Sequence, residues 1–134
     1  MFDHIGFNIR SAARSIPFYE ACLAPLGLQV IERQPEFHAV IFAGESEFPF
    51  LWIGEGDGVY HGIKVEVGKS PSHFAFVAPS REAVDEFYRA GLQHGGRDNG
   101  APEDCGGGYY AAYLLDPDGN NIEAGIRMGA ATTP

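Results

Sequence analysis

The feature that most constrains the fold of this chain is a short motif that occurs twice. Residues 3–11 and residues 72–80 each start with a polar residue and a histidine, continue as a strand of mostly alternating apolar residues, and end at a serine. Alternation with a period of two predicts a half-buried β-strand, and a serine before an amphipathic run predicts the start of a helix. A repeated unit buries its apolar face only against another copy, so the repeat predicts a duplicated module.

Each motif leads into a predicted amphipathic helix whose apolar residues recur at spacings of three and four. These residues are Ile16, Tyr19, Leu23 and Leu26 in the first helix, and Val84, Phe87, Tyr88 and Leu92 in the second. Pro17 falls inside the first pattern. Because proline removes a backbone donor and clashes with the preceding turn, we expect this helix to begin late, near Ser15, with an irregular first turn.

Three short strands are predicted after each helix. They cover residues 28–33, 37–43, 48–53, 96–99, 109–115 and 120–127. The residues between the last two strands, 116–119, form the turn signal Asp-Pro-Asp-Gly. The connection between the halves, residues 54–72, is expected to contain one further strand at 62–67. Each half therefore reads as a βαβββ unit.

Two such units predict an α+β fold. We expect one domain over residues 1–134, with module one at about 1–60 and module two at about 70–128. Each unit leaves a sheet with a helix on one face and nothing on the other. The two sheets are expected to lie side by side as a partly closed mixed β-barrel with the helices outside. Inward-pointing residues of the first and last strands then converge in a shared cavity.

Three candidate metal ligands lie on strands that are expected to converge. His4 and His73 occupy the same position in the two motifs, and Glu123 lies on the last strand. Two imidazoles and one carboxylate suit a divalent ion of Fe, Mn, Zn, Ni or Co and leave positions open for a substrate. A single histidine is more often a surface or core residue, but an unpaired carboxylate on an apolar strand is costly to bury. The position of module one that matches Glu123 falls on Leu51 or Trp52, which predicts three ligands rather than four.

At these residues the sequence resembles the vicinal oxygen chelate superfamily, which includes glyoxalase I, bleomycin resistance proteins, extradiol dioxygenases and fosfomycin resistance proteins. The signatures are SIPFY at residues 15–19, LGL at 26–28, HFAF at 73–76, RDNGAP at 97–102 and the stretch 109–123. The resemblance implies that His4, His73 and Glu123 bind the metal. The missing fourth ligand separates the chain from glyoxalase I. The three-ligand pattern instead resembles extradiol dioxygenases and fosfomycin-modifying transferases. The resemblance also implies a homodimer, because the open barrel edges need covering.

Two functions are compatible with these residues. The first is a metal-dependent lyase, isomerase or dioxygenase that binds a small substrate through vicinal oxygens. The alternative is a metal-free small-molecule binding protein of the bleomycin-resistance kind. The candidate catalytic residues are Tyr109, Tyr110 and Tyr113, with His61 as a further stand-in. The candidate substrate-binding residues are Phe50, Trp52, Asn99 and Tyr110.

The charge and the apolar content of the chain limit the classes of partner that it is expected to bind. The formal net charge is −9, whereas nucleic acids and anionic membranes are bound by clustered lysine and arginine. The sequence has no apolar run of the length, about 18 residues, that spans a bilayer. The residues from Met1 show neither the basic region nor the apolar core of a signal peptide, so we expect a cytoplasmic protein.

Overall fold

The computed structural model describes residues 1–55, 59–60, 63–64, 66–68 and 71–128. They form two four-stranded mixed sheets, a two-stranded pair and two helices, which confirms the predicted α+β class and the two βαβββ units. None of the described helices is long and apolar enough to cross a membrane.

The first sheet has the strand order β1-β4-β3-β2, in which β1 and β4 run parallel. The elements of module one are β1 (His4–Asn8), α1 (Ala12–Leu23), β2 (Gln29–Gln34), β3 (Ala39–Ala43) and β4 (Phe50–Gly54). Strand β3 begins two residues later than predicted. Pro35–Phe37 forms a 3-10 helix, and His38 has a left-handed backbone with φ of 48°, so the chain is not extended there.

The two modules are connected by β5 (Val59–Tyr60) and β6 (Ile63–Lys64), which form an antiparallel pair. Of the strand predicted at 62–67, only Ile63–Lys64 is extended among the described residues. Residues 62 and 65 lie outside them.

The second sheet repeats the order of the first, β7-β10-β9-β8, with β7 and β10 parallel. The elements of module two are β7 (His73–Val77), α2 (Arg81–Gln93), β8 (Arg97–Asp104), β9 (Tyr109–Leu115) and β10 (Asn121–Arg127). Strand β8 extends five residues beyond its predicted end. It continues past Gly100, a position of positive φ where the register with β9 shifts.

Helix α1 begins at Ala12, so the expectation of a late start near Ser15 is wrong. The carbonyl oxygen of Ser11 accepts a hydrogen bond from the backbone N–H of Ser15 at 2.9 Å. The Glu55 carboxylate, just after β4, accepts one from the N–H of Ala12 at 2.8 Å. A carboxylate at this end offsets the positive end of the helix dipole and satisfies a free donor. Pro17 therefore lies inside α1, whose first turn is stabilised by these two hydrogen bonds.

One hydrophobic core joins the two modules through their helices. A β-carbon built on Gly91 of α2 would lie 3.3 Å from the ring of Phe18 and 3.5 Å from Cβ of Cys22, so α1 and α2 pack closely there. Phe7 of β1 stacks on Phe74 of β7 with 4.7 Å between ring centroids. Both sheets contribute buried side chains to this core, namely Val40, Phe42, Ile53, Leu114, Ile122 and Ala124.

The opposite face of each sheet, here called the open face, is directed away from this core. His4, Phe50 and Trp52 lie on the open face of the first sheet, and His73 and Glu123 lie on that of the second. Among the described residues the two sheets share no strand pairing. The predicted partly closed barrel with outer helices is therefore not formed within one chain, because the helices pack against each other and turn both core-facing sides inward.

A buried aspartate ties the two modules together at the turn predicted from 116–119. Asp116 has no exposed surface. Its side chain accepts hydrogen bonds from the Tyr19 hydroxyl on α1, from the Asn120 amide at 2.9 Å, and from the backbone N–H of Asp118 at 2.9 Å. Burial and the Asp116 carboxylate raise the pKa of Tyr19, which stays a donor.

Replacing Asp116 is expected to destabilise the whole chain. Asp116→Ala leaves several buried donors without an acceptor, so the free energy of unfolding should fall by about 3 kcal/mol. Urea denaturation followed by circular dichroism measures this change. The matched control is Asp118→Ala in the same turn, which loses the hydrogen bond from the Arg10 N–H and should lose about 1 kcal/mol or less. Equal losses for the two variants would contradict the role given to Asp116.

Candidate metal centre

His4 is the first residue of β1 and lies on the open face of the first sheet. Its ring stacks on that of Phe50, with 4.6 Å between centroids and 6° between the planes. Its Nδ1 atom lies 2.6 Å from Oδ1 of Asp3. The side chain is exposed, so His4 presents an aromatic and polar edge to solvent.

His73 is the first residue of β7 and makes two polar contacts with β10. Its Nδ1 lies 3.0 Å from the carbonyl oxygen of Asn121, and its Nε2 lies 3.2 Å from Oε1 of Glu123. A carbonyl oxygen can only accept, so Nδ1 is the donor. In the neutral ring Nε2 then has a lone pair directed at a carboxylate oxygen, another acceptor. Two acceptors this close need a proton or a metal ion between them.

Glu123 is a buried carboxylate, with 6% of its surface exposed. The Tyr109 hydroxyl on β9 donates a hydrogen bond to its Oε2. Burial and this contact raise the pKa of Tyr109, so its hydroxyl remains a donor. Burial and the charge of Glu123 also raise the pKa of Tyr113, which is paired with Glu123 on the same open face. One oxygen of the Glu123 carboxylate therefore accepts a hydrogen bond from the Tyr109 phenol, and the other lies beside the His73 imidazole.

The strand register shows which residue of module one matches Glu123. His73 is paired with Asn121, as His4 is paired with Phe50. Two residues further along the last strand of each module are Glu123 and Trp52. Leu51 faces the core. The residue of module one equivalent to Glu123 is therefore Trp52, whose indole N–H donates to Oε1 of Gln34 at 2.9 Å.

Two other predicted site residues lie on different faces. The Asn99 amide donates to Oδ1 of Asn121 at 3.0 Å, beside the carbonyl group that holds His73. Tyr110 is directed to the helix side, where its hydroxyl donates to Asp85 of α2 at 2.6 Å. The structure therefore does not bring Tyr110 to Glu123. His61 lies outside the described residues.

The structure brings together two of the three predicted ligands, His73 and Glu123. His4 lies on the other open face. Among the described residues, no three or more His, Cys, Asp or Glu side chains are grouped as a metal site would require. The physical reason is the packing of α1 on α2, which directs the two open faces away from the common core.

Two residues of this site were not anticipated from the sequence. A β-carbon built on Gly125 would overlap the Tyr109 hydroxyl and ring. The guanidinium of Arg127 lies 4.2 Å over the ring of Tyr109. Counting outward from the predicted turn at 116–119 pairs Tyr109 with Ile126, whereas the strands pair it with Arg127, so the predicted register did not identify this contact.

The chain belongs to the Glyoxalase/Bleomycin resistance protein/Dioxygenase superfamily, whose sequence model matches residues 1–124. It is similar to the crystal structure of a glyoxalase/bleomycin resistance protein from Albidiferax ferrireducens T118, with 29% identity, a TM-score of 0.74, and coverage of 95% of this chain and 98% of that one. A comparison with curated proteins found no match.

Two further crystal structures share the fold at lower identity. A glyoxalase-related enzyme from Fulvimarina pelagi is 19% identical with a TM-score of 0.73, covering 94% of this chain and 87% of that one. Lactoylglutathione lyase from Agrobacterium tumefaciens is 19% identical with a TM-score of 0.66, covering 99% and 96%. Family and fold are thus established together over nearly the whole chain.

The contact between Tyr109 and Glu123 predicts a pH-dependent absorbance change. A tyrosine in water ionises near about pH 10, whereas burial and the neighbouring carboxylate raise the pKa of Tyr109. Glu123→Gln removes the negative charge and should lower the pKa of Tyr109 toward the ordinary value. Absorbance titration at the phenolate band, with and without Tyr109→Phe, isolates this residue. If the absorbance change of Tyr109 occurs at the same pH in the wild type and in Glu123→Gln, the contact between Tyr109 and Glu123 is contradicted.

Proposed function

We propose that this chain is a divalent-metal enzyme of its superfamily, acting in the cytoplasm on a small substrate bound through two neighbouring oxygens. The observation that carries the proposal is the pair of His73 Nε2 and Glu123 Oε1, 3.2 Å apart, with Nδ1 of the same ring engaged by a carbonyl oxygen. A second-layer hydrogen bond of this kind is the usual partner of a metal-binding histidine.

The donor set fits a divalent ion. A nitrogen and an oxygen 3.2 Å apart can both contact one ion, because bonds to such ions are about 2.0–2.2 Å long. When bound, the ion would supply a Lewis acid that polarises substrate oxygens. His73 and Glu123 would hold it, and the buried position of the carboxylate would keep water from competing for that contact.

We propose that the third ligand is His4 of a second copy of the chain. Both open faces lack a cover from their own chain among the described residues, and β1 and β7 lie at the edges of their sheets. Val77 on the open face of β7 is 86% exposed. A two-fold homodimer would place the open face of one first sheet over the open face of the other second sheet. Such a dimer has two equivalent sites.

The residues of the first sheet that would face the metal centre in this dimer suggest which reaction it supports. Phe50 and Trp52 present aromatic surface beside His4, and the only polar atom of the Trp52 ring already donates to Gln34. Trp52 stands where a second carboxylate would be needed for a proton shuttle between two acids. Tyr113, which is paired with Glu123, carries a phenol that can exchange a proton. We therefore propose a lyase or dioxygenase reaction rather than the isomerisation carried out by glyoxalase I.

A metal-free binding protein is the second candidate function. The observation that favours it is the aromatic surface of the first sheet, where Phe48 lies 5.9 Å from Phe50 and Phe50 is stacked on His4. Such a surface can hold a planar ligand without an ion. The two candidates differ in metal content.

Metal binding is expected at about one ion per chain, as shown by elemental analysis and calorimetric titration with Mn(II), Fe(II), Zn(II) or Ni(II). His73→Ala and Glu123→Ala should each lose about 100-fold in affinity or more, because each removes one of few ligands. The control is His38→Ala, since His38 also faces a carboxylate, Glu55, at 3.7 Å but lies outside the proposed centre. A wild-type protein that takes up none of the four metals would overturn the metal-enzyme proposal and leave the binding protein.

Sharing of sites between copies predicts complementation. His4→Ala and His73→Ala chains are refolded alone and as an equal mixture, at a metal concentration where neither variant binds alone. Half of the dimers in the mixture are mixed, and each carries one intact site, so about a quarter of wild-type binding should return. No recovery in the mixture, despite dimers shown by light scattering, would refute the proposal that His4 of a second copy is the third ligand.

A further inference from the structure

We infer that Tyr109 is a positioning residue of the proposed metal centre, holding the Glu123 carboxylate so that Oε1 is directed at His73. The inference rests on the proposed function. It concerns how the ligand is aligned, and it is carried by three contacts of Tyr109 with β10: its hydrogen bond to Glu123, its passage over Gly125 and its stacking with Arg127.

The two oxygens of Glu123 have different partners. Oε2 accepts the hydrogen bond from Tyr109, and Oε1 lies 3.2 Å from Nε2 of His73. A carboxylate on a short flexible stem can rotate about its last bond, and a fixed donor on one oxygen removes that freedom. The phenol therefore determines which oxygen is available on the open face and which way it points.

The backbone of β10 makes room for this phenol. Gly125 lies in the middle of the strand, where glycine is normally unfavourable. A β-carbon there would overlap the hydroxyl oxygen, Cζ and Cε1 of Tyr109. The missing side chain is thus the condition under which the Tyr109 ring crosses the strand and reaches Glu123.

Arg127 stabilises the same ring position. It is paired directly with Tyr109 across the hairpin, and its guanidinium carbon lies 4.2 Å from the ring centroid. A cation over an aromatic face at this distance is attractive. Two residues of β10 therefore define the ring position, Gly125 by the space it leaves and Arg127 by the contact it makes.

The next tyrosine in the chain provides a matched comparison. Tyr110 also donates to a carboxylate, Asp85, and also lies under a guanidinium, that of Arg81 at 4.1 Å. It faces the helix side of the sheet. Tyr109→Phe and Tyr110→Phe therefore remove the same atom from similar surroundings on opposite faces.

The experiment measures Mn(II) dissociation constants for the wild-type chain, Tyr109→Phe, Gly125→Ala, Arg127→Ala and Tyr110→Phe, with folding checked by circular dichroism. Loss of a second-layer partner typically weakens metal binding by about 10- to 100-fold. We expect a loss in that range for Tyr109→Phe and Gly125→Ala, a smaller loss for Arg127→Ala, and a wild-type constant for Tyr110→Phe. The Co(II) absorption spectrum of Tyr109→Phe should also change, because an unaligned carboxylate alters the ligand geometry.

The outcomes separate the two proposals. Metal binding by the wild type together with a Tyr109→Phe constant within about twofold of it, and an unchanged Co(II) spectrum, would overturn the positioning role and leave the metal centre standing. A wild type that binds no metal would overturn both. If Tyr109→Phe fails to fold, Arg127→Ala provides the test, because it removes the contact that holds the Tyr109 ring and adds no atom. A Mn(II) dissociation constant of Arg127→Ala equal to that of the wild type would then refute the inference.

Discussion

The packing of α1 on α2 is the interaction on which the rest of this structure depends. Phe18 and Cys22 of α1 approach α2 at Gly91, where a β-carbon would lie 3.3 Å and 3.5 Å from them and would overlap Leu114 of β9. Because each helix also covers the core-facing side of its own sheet, both sheets turn that side toward one shared core. The two open faces are left directed away from this core. The buried Asp116, which accepts from Tyr19 of the other module, maintains the same arrangement from the turn.

This arrangement explains why the site is divided. His73 and Glu123 meet because β7 and β10 are parallel neighbours in one sheet, with Glu123 two residues beyond the partner of His73. His4 occupies the equivalent place in the other sheet, where Trp52 replaces the carboxylate. The two halves are thus unequal, one with the His73–Glu123 pair and one with His4 beside aromatic surface. A second copy of the chain would bring the two kinds of half together.

The sequence predicted the elements and their order well because strands and helices depend on local periodicity. Its errors concerned the ends of elements. Pro17 did not delay the start of α1, since the Glu55 carboxylate, which follows β4, accepts a hydrogen bond from the backbone N–H of Ala12. Strand β8 ran beyond its expected end, through Gly100. Tyr109 and Tyr110 were equal candidates, because adjacent residues differ only in which face of the strand they occupy. The contacts of Tyr109 with Glu123 and of Tyr110 with Asp85 separate them.

The sequence by itself determined the duplication, the α+β class and the residue types from which a metal centre can be built. It did so because a repeated motif places His4 and His73 at matching positions whatever the modules do next. Only the tertiary structure decided how the modules face each other, and with that which candidate ligands meet. That decision belongs to the packing of the two helices, in which Phe18 and Cys22 of α1 approach α2 at Gly91. Spacing along the chain carries no information on it, since a barrel within one chain and a barrel between two chains use the same strands.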